Sequence, residues 1–270
     1  MSTGTTDPRG HRELVHSHEV APGPVPAAGW ADDATVRALS ANPVTGAFSG
    51  LLRLPKGFRR PAGWLSADTE WLVLSGWLWV GRELRGYGTY DWAPAGSAQE
   101  ELFVLEDTEI LFMPRTGAPD FTAGTAPNGD EGVIRVATEQ IPWARTQTKD
   151  APDFVLSKYM RRDPETGAMS AVICSPPATR HPKIEFHDTV EEMFQIVGDT
   201  TLRNSGRMAT GSYFWRPPYI THGPFSSEQG GIMYLYTDGK LVNFFADDPE
   251  QAMETNILQA QREREESSHG

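Results

Sequence analysis

The sequence predicts an all-β chain of two tandem barrels of short strands, followed by a short C-terminal helix. The first observation behind this is an internal repeat. NPVTGAFSGLLRLP (Asn42 to Pro55) returns as DPETGAMSAVICSP (Asp163 to Pro176), with Pro, Thr, Gly, Ala, Ser and the closing Pro coinciding at an offset of 121 residues. EWLVLSG (Glu70 to Gly76) and EMFQIVG (Glu192 to Gly198) follow at an offset of 122. The second is the run of short, near-alternating or apolar segments between turn signals: WLVLSGWLWVG, ELFVLEDTEILFMP, AVICSPP, MFQIVGD, TGSYFWRPP and GGIMYLYTDGKLVNFF. Their β-branched and aromatic content suits strands in a sandwich or small barrel. The third is the near absence of helical pattern before Asp248-Pro249.

Taken in order, residues 1–35 are polar and read as a flexible segment, its HRELVHSHE run a solvated tail. Residues 36–140 form the first barrel. A link spans about Ile141 to Pro152, and residues 153–246 form the second barrel. Residues 247–270 hold the helix, with Met253, Ile257 and Leu258 on one side, and a tail.

The chain has 270 residues and a net charge of −12, which argues against nucleic acid or an anionic membrane as partner. Its one cysteine, Cys174, excludes an intrachain disulfide and the four-cysteine and two-cysteine, two-histidine zinc sites. No apolar run approaches the ~18 residues of a membrane span. The polar N-terminus lacks the apolar core of a signal peptide, so a cytoplasmic location is expected.

Chemistry concentrates in the second repeat. His187 is followed by Glu191 after three residues, and Glu191 by Gly198 after six. Downstream, in GSYFWRPPYITHGPFS, Gly211 precedes Pro217 by five intervening residues, and His222 lies five positions further on. Imidazole and carboxylate groups from different strands can converge in a barrel mouth and leave coordination positions open.

These spacings resemble the two motifs of the cupin superfamily, G(x)5HxH(x)3–4E(x)6G and G(x)5PxG(x)2H(x)3N. Covering residues 36–246, the resemblance implies a bicupin: two double-stranded β-helix (jelly-roll) barrels. It also implies one divalent metal, Fe(II) foremost, with Zn, Mn or Ni as alternatives. Carried over, His187, Glu191 and His222 are ligands. Glu185 stands where the first histidine belongs, either as a fourth ligand or as a catalytic acid–base group. His181 is an alternative ligand, and Glu192 competes with Glu191. Tyr219 replaces the second motif's glycine and Ser226 its asparagine. The acidic doublet also resembles the zinc-binding cupin of certain bacterial anti-sigma factors.

In the first repeat the HxH positions read Trp64 and either Leu65 or Ser66, Glu70 aligns with Glu192, and Gln99 takes the second-motif histidine. No histidine lies between His18 and His181, so no transition-metal site is expected there. The aromatics Tyr213, Phe214, Trp215, Tyr219, Tyr234 and Tyr236 supply core or pocket wall. Arg180, Lys183, Arg203 and Arg216 are candidates to pair with an anion or an acidic ligand.

The resemblance implies a metal-dependent enzyme acting on a small organic substrate, foremost a non-haem Fe(II) dioxygenase without 2-oxoglutarate. The alternatives are a redox-neutral lyase, isomerase or hydrolase, and a non-catalytic metal sensor. A homodimer is implied on the same ground.

Overall fold

A computed structural model describes residues 8–148, 151–203 and 205–246. The expected C-terminal helix falls outside the described residues. The chain divides into two compact units: one holds Val15–Pro142 with Arg9, the other Gly10–Leu14 with the chain from Trp143 onward.

Both units are antiparallel β. In the first, five central strands run in the order Thr89–Ala93, Thr69–Ser75, Thr108–Pro114, Phe48–Leu54, Thr35–Ala41. In the second the order is Ser212–Arg216, Glu191–Leu202, Gly231–Thr237, Met169–Ser175, Leu156–Arg162. Registers correspond as well. Trp92 faces Glu70 in one unit and Trp215 faces Glu192 in the other. The Tyr90 hydroxyl donates to Glu70 at 2.9 Å, and the Tyr213 hydroxyl to Glu192 at 2.8 Å.

The repeated turn shows why sequence similarity survives there. Asn42 Oδ1 accepts the N–H groups of Val44 and Thr45 at 2.9 and 3.0 Å, and Asp163 Oδ1 those of Glu165 and Thr166 at the same distances. These are Asx turns, and the glycines that follow, Gly46 and Gly167, sit at φ +79° and +78°, where a side chain would be strained.

The interiors differ. Phe48, Leu52, Leu54, Leu65, Val73, Ile110 and Phe112 fill the first unit. In the second, smaller clusters (Met169, Ala171, Ile173, Met233, Leu235; and Leu202, Met208, Phe214) surround a cavity of about 100 Å³.

One expectation needs correction. Residues 1–35 do not form a wholly flexible segment, because Arg12–His16 is a strand at the edge of the second unit's sheet, beside Ser212–Arg216. Leu14 packs against the Leu202, Met208 and Phe214 cluster. Polarity hid this: Glu13 of the strand finds the buried Arg216 as partner instead of solvent.

Candidate metal centre

The short strand Ile184–Phe186 carries Glu185, and His187 follows it directly. Glu191 opens the long strand Glu191–Leu202. His222 comes from the segment after Ser212–Arg216. It is tied to Glu185 by a reciprocal pair of backbone hydrogen bonds, both 2.9 Å. Those two bonds lock the first motif to the second. The Tyr219 N–H adds a third strut, donating to the His187 carbonyl at 2.6 Å.

The four expected side chains meet, all buried. Ligand atoms of Glu185, His187 and His222 lie within 4.8 Å of one another. His222 Nε2 is 3.6 Å from Glu185 Oε1 and 3.5 Å from Glu191 Oε2, and His187 Nε2 is 3.7 Å from Glu191 Oε1. The tautomers follow from backbone contacts. His187 Nδ1 is 3.0 Å from the Val242 carbonyl and His222 Nδ1 is 3.1 Å from the Ile220 carbonyl. A carbonyl only accepts, so each Nδ1 carries the proton and each Nε2 offers a lone pair to the cluster. His187 Nε2 has no hydrogen-bond partner although it is fully buried. Two imidazoles and two carboxylates converge there, a donor set that suits a divalent transition metal.

Strand alternation separates the acidic doublet. Glu191 faces the cavity, whereas Glu192 points to the other face and accepts from Tyr213. His181 stands at the edge of the cluster, its Nε2 3.9 Å from Glu185 Oε2 and its ring against Phe225. Asn243 Nδ2 donates to the same Glu185 oxygen at 3.3 Å. Alternation also sorts the aromatics: Phe214 lines the cavity, as Phe225 does, while Tyr213 points to the Glu192 face; Tyr219, in the turn beyond the strand, is 43 % exposed.

Of the four candidate cations, the structure selects Arg216. Its guanidinium is 2 % exposed and donates Nη1 to Glu191 Oε2 at 3.0 Å. Its other edge donates to Glu13, Nε at 2.9 Å and Nη2 at 2.6 Å. Burial alone would raise the Glu13 carboxyl. Hydrogen bonds from His11 and Arg216 outweigh that and hold it far below the usual carboxylate range. Burial likewise opposes ionisation of Glu191, but the positive charges facing it, on His222 and His187 when those rings are protonated and on Arg216, together lower its pKa. Glu13 lies 203 residues from Arg216 and in the segment expected to be solvated, so sequence reasoning missed it. The Arg216 signal was present: in the matching register, Glu191 faces Arg216 where Thr69 faces Ala93.

The first unit's counterparts follow from the same registers. Gly63 pairs with Gln99 as Glu185 pairs with His222. The Gly96 N–H donates to the Leu65 carbonyl as Tyr219 N–H does to His187. The counterparts of Glu185, His187, Glu191 and His222 are therefore Gly63, Leu65, Thr69 and Gln99, none an imidazole or carboxylate. Gly63, and not Trp64, holds the first motif position, which corrects the expectation by one residue. Gly96 sits at φ +75°, and Tyr219 holds the equivalent place at φ +68°. Tyr219→Gly is expected to raise stability by about 0.5–1 kcal/mol, relief of left-handed strain exceeding the entropy glycine adds to the unfolded chain. Urea unfolding measures it, and a loss of stability would mean the tyrosine ring matters more than its backbone.

A family model described as a domain of unknown function, DUF4437, matches residues 13–244. The chain belongs to the DUF4437 family. No curated protein sequence matches it. Among solved structures, a "putative dioxygenase" of Nostoc punctiforme is similar at 21 % identity and TM-score 0.81, over 89 % of this chain and 88 % of that one. Escherichia coli Ylba, a DUF861 protein, is similar at 14 % identity and TM-score 0.58, over 83 % and 89 %. Bacillus subtilis oxalate decarboxylase, which holds Mn(II) centres, is similar at 11 % identity and TM-score 0.56, over 91 % and 83 %. At such identities the likeness shows the fold: this DUF4437 chain is all-β and cupin-like.

Proposed function

We propose that this DUF4437 protein is a metal-dependent cupin enzyme acting on a small organic molecule, foremost a non-haem Fe(II) oxygenase. The observation that carries the reading is the pair of imidazole Nε2 atoms, oriented by backbone carbonyls, that meets two buried carboxylates at the wall of an apolar cavity. His187, His222 and Glu191 would hold the metal, with Glu185 Oε1 in the fourth donor place. When bound, the metal would supply Lewis acidity and a redox-active centre. Asn243 and Arg216 orient the two carboxylates. The cavity's apolar wall, including Met193, Phe214, Met233 and Leu235, excludes water and takes the apolar body of an enol, diketone, catechol or hydroxy acid. Were Glu185 to stay off the metal, it would be the carboxylate placed to accept a proton from such a substrate, with His181 beside it. The matching registers of the two units support reading the chain as a duplicated bicupin whose first barrel has lost its ligands.

Metal-free protein reloaded with Fe(II) without oxygen, then given O₂ and a panel of these substrates, tests the reading. Oxygen uptake is expected to require both iron and substrate, and to vanish with Zn(II). Turnover under strict anaerobiosis with Mn(II) or Zn(II) would replace the oxygenase with a redox-neutral reaction, the reading that the likeness to a decarboxylase favours.

A further inference from the structure

We propose that the first unit carries an anion-binding site at Arg60, which takes one small monovalent anion, of chloride or formate size. Arg60 is 9 % exposed, and its Nε has no hydrogen-bond partner. Among the described residues, no carboxylate forms an ion pair with it. Its neighbours are aromatic faces: the guanidinium carbon lies 4.9 Å from the Phe121 ring centre and 5.5 Å from that of Trp30. Such contacts soften the burial of a cation without neutralising it. Desolvation holds the guanidinium down at about 10, as expected of a buried charge lacking a counter-ion.

Comparison of the registers shows what is missing. Arg60 faces Leu102 as His181 faces Phe225, so the two occupy matching positions. His181 has the Glu185 carboxylate 3.9 Å away. The residue matching Glu185 is Gly63, and a Cβ there would collide with the Thr122 carbonyl and the Phe121 ring. No side chain at position 63 can bring a carboxylate to Arg60, and no described carboxylate pairs with it, which leaves the counter-charge to come from solution.

Space for it exists. A cavity of about 20 Å³ opens beside Arg60, with Thr69, Gln99, Leu65, Trp30 and Phe58 among its lining. That is room for a particle of about one to two water molecules. The Gln99 amide and Thr69 hydroxyl are further hydrogen-bond donors on the wall, where the Trp30 and Trp71 indoles are engaged by the Pro119 carbonyl and Asp91. One cation in an otherwise neutral, apolar cavity selects a monoanion, since a second negative charge would be buried unpaired. The site is independent of the metal reading, since it involves none of the second unit's residues.

Thermal unfolding of the full chain tests this at constant ionic strength, replacing sodium sulfate with sodium chloride, bromide or formate. Beyond the general loss that replacing sulfate brings, the unfolding midpoint is expected to rise by a few degrees and saturate, since an anion that binds only the folded state stabilises it by mass action. Arg60→Met is expected to abolish the dependence. Crystals of the unaltered protein grown in bromide keep the test alive if that variant does not fold: an anomalous peak is expected at the guanidinium. Displacement of bromide by formate would extend the site to carboxylates, and a peak that formate leaves in place would assign it to halides; either supports the proposal. An equal shift in Arg60→Met, or no shift and no bromide peak in the unaltered protein, overturns it.

Discussion

Arg216→Met is expected to destabilise the metal-free protein by about 3 kcal/mol or more, read from urea unfolding, because it strands one partner of a buried ion pair. Glu191 is 5 % exposed at its side chain and Glu13 is 23 % exposed, and both face the guanidinium. Without Arg216, Glu191 faces only the two imidazoles, at 3.7 and 3.5 Å, which compensate its charge only if they are protonated. It then has to take up a proton or remain an uncompensated buried charge. Glu13→Gln is the milder change, expected to cost about 1 kcal/mol, since a neutral amide still accepts one of the two hydrogen bonds. Bound metal would supply Glu191 with a second positive partner, so the Arg216→Met loss is expected to shrink in loaded protein. A loss below about 1 kcal/mol in metal-free protein would show that the Glu13–Arg216–Glu191 chain does not brace the centre.

The second large effect concerns the proposed metal ligands. His187→Ala, His222→Ala and Glu191→Gln are each expected to weaken metal binding by more than about 100-fold, because loss of a residue that merely orients a ligand already costs about 10–100-fold. Competition against a chelator reads the affinity, and elemental analysis of protein purified without chelators reads the stoichiometry, expected at one metal per chain. Glu192→Gln is the control. Its carboxylate lies on the other face of the same strand, bound by Tyr213, so affinity is expected to change less than about 3-fold. If Glu192→Gln abolishes binding while Glu191→Gln leaves it intact, the doublet has been assigned the wrong way round. Two metals per chain would contradict the first unit's Gly63, Leu65, Thr69 and Gln99 set.

Much of this was legible in the residues. Strand spacing and the duplicated NPVTG/DPETG turn disclosed an all-β chain with two matching halves, because Asx turns and left-handed glycines are local requirements written in a few consecutive residues. The resemblance to the two cupin motifs, carried by the histidine and carboxylate spacings, placed His187, Glu191 and His222 together for a related reason. Ligand positions on a strand are set by its two-residue period and by the turns that bound it. Alternation required that at most one of Glu191 and Glu192 point inward, and the motif spacing favoured Glu191.

Other features came only from tertiary structure. Nothing near Glu13 announces that a polar N-terminal strand joins the second unit's sheet and grips Arg216, 203 residues away. Nor does the run Arg59–Arg60 distinguish a solvated arginine from one buried against Trp30 and Phe121. Long-range pairing of charges depends on which strands become neighbours, and a linear chain does not display that order. The local period of the backbone decided the strands and the ligand spacing, while sheet topology decided which buried charges found partners and which, like Arg60, were left to take one from solution.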